Sequence, residues 1–154
     1  MAMANCAVCD KVIESGELSH VLCINIEILD TKDEVTSIYN VQDSIEYLHT
    51  CEHHANAIST CVHNLRLKIP LLVDIKSSNV TALRSDYSCE RCGKDIHDGE
   101  SIVFLVSSKE TEESDSVTVL EAHNVLVVCL ACKDATSLEK TLTEVVTKSV
   151  TLAR

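Results

Sequence analysis

The sequence predicts an α+β protein built from two tandem modules, each a tight two-cysteine turn, a β-hairpin and an α-helix. Three observations predict it. Residues 6–17, CAVCDKVIESGE, return 83 positions later as residues 89–100, CERCGKDIHDGE, with six identities in twelve ungapped positions, the mark of an internal repeat. Each copy is followed by β-branched stretches broken by an acidic segment, which reads as a hairpin. Each half then closes on a second ligand-spaced pair, in YLHTCEHHANA and VLVVCLACKDA, and continues with apolar residues three or four apart, the spacing of an amphipathic helix.

In chain order, module one covers residues 4–69. Its hairpin is expected to run from Leu18 to Leu29, turn over Asp30 to Glu34, and return from Val35 to Val41. Its helix places Ala57, Ile58, Cys61, Leu65 and Ile69 on one stripe. Pro70 ends it, because the residue before a proline is biased away from helix. Residues 70–86 read as a linker, apolar at first and then polar, with a short strand expected over Leu71 to Ile75. Module two covers residues 87–154, with strands Ser101 to Val106 and Val117 to Leu120 around an acidic loop, SSKETEESDS. Its helix aligns Ala135, Leu138, Leu142, Val145 and Ser149. The interval between ligand pairs is 41 residues in the first module and 36 in the second, which places a five-residue difference in the segment between the pairs.

With 154 residues, 45% of them hydrophobic, and only three Gly and one Pro, the chain is neither disordered nor fibrous. Three Tyr, one Phe and no Trp leave few bulky side chains for the core, so another source of stability is needed. Nine cysteines supply it. A C-x2-C turn presents two sulfurs to one metal ion from a single tight loop, and a tetrahedral site needs a second pair from elsewhere. Cys6, Cys9, Cys51 and His54 form one such set, and Cys89, Cys92, Cys129 and Cys132 the other. The spacing and donor types point to two Zn2+ per chain, and four protein donors at each leave no position for a reacting water, as in structural sites. His54 is preferred to His53 because it aligns with Cys132; either imidazole can bind zinc. Cys23, within an apolar strand, and Cys61, on the helix stripe, read as packing residues.

A knuckle of the form C-x2-C-x-K-x-I, a hairpin and a ligand pair opening a helix resemble the treble-clef zinc fingers. The strand-to-ligand-to-helix passages NVLVVCLACKDA and YLHTCEHHANA are similar to the zinc-bearing end of HNH-type endonucleases. That resemblance implies hydrolysis of nucleic acid by a histidine base and a hairpin-held metal. No Asp-His pair of that kind is present, and His20, His49, His63, His97 and His123 read as exposed or capping residues, so the zinc ligands carry over and the catalysis does not.

Charge directs the functional expectation. The formal net charge is -11, divided -6 and -5 between residues 1–77 and 78–154, and seven ionised thiols holding two zinc ions would take it to about -14. Nucleic-acid affinity depends on Lys and Arg neutralising phosphates, so nucleic-acid binding is disfavoured. The expectation is an acidic, zinc-stabilised, non-enzymatic module, an adaptor, regulator or inhibitor of a protein partner with a basic surface. Nucleic-acid binding and a degenerate HNH-like nuclease are the alternatives. The start of the chain carries no export signal and no run spans a bilayer, and paired reduced thiols fit the cytoplasm. The C-terminal helix is expected to pack within the chain, since a zinc module alone buries little surface.

Overall fold

The computed structural model describes residues 4–31, 37–69 and 87–154. It is a mixed α+β structure: β1 (Leu18–Thr31), β2 (Ser37–Cys51), a 3-10 turn (Glu52–His54), α1 (Asn56–Lys68), β3 (Tyr87–Ser88), β4 (Asp95–Ile96), β5 (Ser101–Glu112), β6 (Val117–Cys129), α2 (Leu130–Ala135) and α3 (Leu138–Ala153). The linker strand expected over Leu71 to Ile75, and most of the first hairpin's turn, lie outside the described residues.

Two hairpins form, their returning strands running past the expected ends at Val41 and Leu120 to Cys51 and Cys129, where they pair with β1 and β5, and the hairpins do not stay apart. β1 and β5 pair antiparallel from Leu18↔Thr111 to Ile28↔Ser101, giving one four-stranded sheet in the order β2-β1-β5-β6. The register brings Cys23 opposite Val106, and these two residues occupy the same place in the 83-residue repeat. The two halves are therefore related by a pseudo-twofold axis through that pair. The irregularities repeat as well. β2 bulges opposite Leu22/Cys23 and Ile26/Glu27, and β6 bulges opposite Leu105/Val106 and Lys109/Glu110, the same places displaced by 83.

This pairing corrects the expected second hairpin. The acidic segment anticipated as a loop over residues 107–116 is strand through Glu112, because its polar residues hydrogen-bond along β1 of the other half. Pairing to a distant strand leaves no local trace in a sequence.

Alternation along the strands puts Leu22, Ile24, Leu48, Val103, Leu105 and Leu126 on one sheet face, all buried. The helices join the same core through Ala57, Ile58, Cys61 and Leu65 on α1 and Leu138, Leu142 and Val145 on α3. α1 and α3 pack on each other, so the C-terminal helix finds its partner within the chain. The predicted second helix is broken, however. Ser137 takes a left-handed conformation (φ 49) between α2 and α3, and Ala135, on the expected stripe, is exposed. Cys61 lies at the helix contact with no exposure, beside Ser149, and burial pushes its thiol up to about 11. Cys23 is half-buried and likewise raised by burial. Both are outside the cysteine clusters, as their apolar contexts predicted.

Candidate metal centres

Each of the six identities in the repeat has a structural task, and the task is the same in both copies. The amide of Cys6 donates to Lys11 O and that of Cys89 to Lys94 O, both at 2.8 Å, which closes the knuckle. The return bond runs from Asp10 N–H to Cys6 O at 2.9 Å and from Gly93 N–H to Cys89 O at 2.8 Å. This turn needs a left-handed residue, supplied by Asp10 (φ 65) in one half and Gly93 (φ 77) in the other. Lys11 and Lys94 form ion pairs at 2.7 Å with Glu17 and Glu100. The same carboxylates accept the Glu14 and His97 amides at 3.1 and 3.0 Å, bracing the turn at Gly16 and Gly99. Ile13 and Ile96 fill the core below.

The knuckles are docked on the outer strands through Ala7 N–H to His49 O and Glu90 N–H to Val127 O, both 2.9 Å. This brings each first ligand pair to the end of a strand whose last residue is the third donor. Cys51 and Cys129 stand in the same extended conformation (φ -71, ψ 169 and φ -75, ψ 163) immediately before a helical turn. The fourth donor, His54 or Cys132, is three residues on, where the turn brings it back beside the third. The eight predicted residues thus assemble as two groups, Cys6, Cys9, Cys51, His54 and Cys89, Cys92, Cys129, Cys132, with donor atoms all within 4.8 Å of one another in each. His54 presents Nδ1; its neighbour His53 is exposed and outside the group.

The donor spacings fit a tetrahedral ion. Sulfurs about 2.3 Å from a central metal would stand about 3.8 Å apart, and a sulfur and an imidazole nitrogen about 3.6 Å. Cys9 and Cys51 sulfurs are 3.9 Å apart, as are those of Cys92 and Cys129. His54 Nδ1 lies 3.8 Å from Cys6 Sγ and 3.2 Å from Cys51 Sγ. Each group can therefore hold one metal ion.

Electrostatics point the same way. Burial opposes ionisation of Cys6, but amides of Cys51, Cys9 and Val8 outweigh it and bring the thiol down to about 6. Amides of Cys129, Cys92 and Arg91 likewise outweigh burial at Cys89 and bring it to about 7. Cys51, Cys129 and Cys132 are pushed up, first by burial and then by neighbouring sulfurs, with Arg91 Nη1, 3.4 Å from Cys132 Sγ, opposing this at the last. Sulfurs this close cannot all be anionic without a cation among them, and a divalent ion resolves that conflict.

The remaining histidines form no comparable group. His20 is 2.6 Å from Glu52, and His63, His97 and His123 are exposed. His49 departs from the expectation of an exposed or capping residue: it is 8% exposed, with Nδ1 3.5 Å from Glu46. Among the described residues, no third cluster of His, Cys, Asp or Glu has metal-ligand spacing, and no helix is long and apolar enough to cross a membrane.

Comparison with family models, with curated proteins and with solved structures finds no match. The resemblance to HNH enzymes gains no support from it, and what the structure establishes is a mixed α+β fold with two clusters able to hold metal.

Proposed function

We propose that the protein is an acidic, zinc-stabilised interaction module whose partner, a protein with a basic surface, it bridges, regulates or inhibits. The metal would be zinc in both centres, since three thiolates with an imidazole and four thiolates are the donor sets of structural zinc. Cys6, Cys9, Cys51 and His54 would hold one ion and Cys89, Cys92, Cys129 and Cys132 the other. Bound there, zinc would cross-link the knuckle to the strand end and supply folding free energy. With every position taken by a protein donor, we assign the ion no reaction, and a reducing compartment such as the cytoplasm suits the free thiols.

The observation that carries the interaction reading is the placement of charge. The strands of the shared sheet hold Glu27, Asp43, Glu46, Glu110, Glu112 and Glu121 against Lys109 among the described side chains. Register places Glu27, Glu46, Glu110 and Glu112 on one face. Burial raises the carboxyls of Glu27 and Glu110; at Glu110 the Ser108 hydroxyl and His49 oppose the rise, and Glu112 and Glu46 add to it. Carboxylates kept partly desolvated beside one another are relieved by a cationic partner. Exposed Val117 and Val119 stand opposite Glu112 and Glu110 at the sheet edge and add apolar contact.

Native mass spectrometry with elemental analysis, on protein purified without added metal, should find two zinc ions per chain. Binding to immobilised basic proteins should weaken steeply with salt and fall when Glu46, Glu110 and Glu112 are changed to Gln. Retardation of labelled DNA or RNA at physiological salt would overturn the reading in favour of nucleic-acid binding.

A further inference from the structure

We propose that the two metal centres are thermodynamically coupled, so that a divalent cation in one raises the affinity of the other, through two arginine clamps that cross between the halves. The inference rests on the metal-binding reading of the two clusters. Arg66, in the last turn of α1, reaches out of its own half: Nη1 donates to Val125 O at 2.8 Å and Nη2 lies 3.0 Å from Glu90 Oε2. Glu90 directly follows the ligand Cys89 and is fully buried, and its Oε1 accepts the amide of Val127, two residues before the ligand Cys129, at 2.8 Å. Glu90 Oε2 accepts no aligned hydrogen bond, so its contact with Arg66 is an ion pair. One buried carboxylate thus ties the knuckle of the second centre to its strand, and its countercharge comes from the first half.

Arg154 makes the reciprocal connection. At the end of α3 its Nε and Nη2 donate to Val8 O and Ala7 O, at 3.1 and 2.9 Å, between the ligands Cys6 and Cys9. Each helix follows its own centre closely, α1 after His54 and α3 after Cys132, and its far end grips the knuckle of the other. With the first centre empty, α1 loses the anchor at its start, and Arg66 is no longer held against Glu90. The second knuckle then carries a buried carboxylate without its cation, a costly state. Linkage makes the coupling equal in both directions.

The test is a Co2+ titration of the full-length, metal-free chain, followed by thiolate-to-cobalt absorption and by native mass spectrometry. The two donor sets give distinguishable visible bands. At half saturation, the doubly loaded species should exceed the statistical share. Cys9→Ser, which alters only the first centre at an exposed position, should weaken Co2+ at the second at least about tenfold. Replacing Arg66 and Glu90 together by Met removes the pair without stranding a charge, and in that background the effect of Cys9→Ser on the second centre should shrink to what the Arg154 clamp alone carries, at least about threefold smaller. Statistical loading would overturn the coupling, and an effect of Cys9→Ser that persists undiminished in the double variant would overturn its route through Arg66 and Glu90; either result leaves the metal reading intact. Failure of Co2+ to bind either cluster would overturn both.

Discussion

Replacing Cys92 by Ser isolates the metal contribution to stability. Cys92 is exposed, so the change removes almost no packed surface and leaves no cavity, and the transfer term is near zero. What it removes is one of the four clustered sulfurs, 3.9 Å from that of Cys129. A structural zinc site contributes about 10–16 kcal/mol in small zinc domains, comparable to or larger than the whole net stability of a domain, about 5–15 kcal/mol. A loss of even about 5 kcal/mol corresponds to about 10–20 °C in melting temperature for a chain of this size. The control is Cys61→Ala. That residue is wholly buried but outside both clusters, so it should cost about 1–2 kcal/mol through packing and leave the metal count unchanged. Native mass spectrometry and thermal melts on both variants separate the effects. Two metals retained in Cys92→Ser, with a melting temperature no lower than that of Cys61→Ala, would refute the assignment of the second cluster as a metal centre.

Other consequences follow from the same geometry. Exchanging the left-handed residue of the two knuckles should have opposite effects: Gly93→Ala, at φ 77 with open space for a Cβ, should destabilise by about 1–2 kcal/mol, whereas Asp10→Gly at φ 65 should be tolerated or mildly stabilising in chemical denaturation. Leu142→Ala, at a position with no exposure in the helix core, should cost about 2.7–5 kcal/mol, and a loss below 1 kcal/mol would contradict the packing of α3 against α1. His49 and Glu46 should titrate as a pair. The hydrogen bond to Glu46 holds His49 above its ordinary 6.5 against the opposing effect of burial, and the same bond holds Glu46 below 4.5. The contribution of Glu46 is present above 4.5 and lost as pH falls through its depressed value, and that of His49 is present below 6.5 and lost as pH rises through its raised value. In Glu46→Gln, the His49 titration followed by NMR should move downward, and an unchanged midpoint would refute the pairing.

The two groups of residues able to hold a metal ion were legible in the sequence because such groups are written in short, fixed spacings. A C-x2-C turn can be read from four residues, and its duplication fixed which cysteines belong together, His54 included, through alignment with Cys132. The first helix was legible for a similar reason: its stripe of Ala57, Ile58, Cys61, Leu65 and Ile69 is buried at every position. The identities Lys11 with Lys94 and Glu17 with Glu100 were visible as a pattern, but the two 2.7 Å ion pairs by which they brace the knuckles follow from the folded turn.

What the sequence alone determined is the local pattern: two knuckles, hairpins, helices and eight Cys and His residues in two sets able to hold metal. What only the tertiary structure decided is how the halves meet. The pairing of β1 with β5, the strand character of residues 107–112, the break at Ser137 and the clamps made by Arg66 and Arg154 all depend on residues far apart in the chain. Backbone hydrogen bonding between strands is nearly blind to side-chain identity, so an acidic stretch that reads as a loop becomes strand once a partner edge is beside it. A repeat in sequence announces two similar modules, but their surface complementarity across the pseudo-twofold axis emerges only after both have folded.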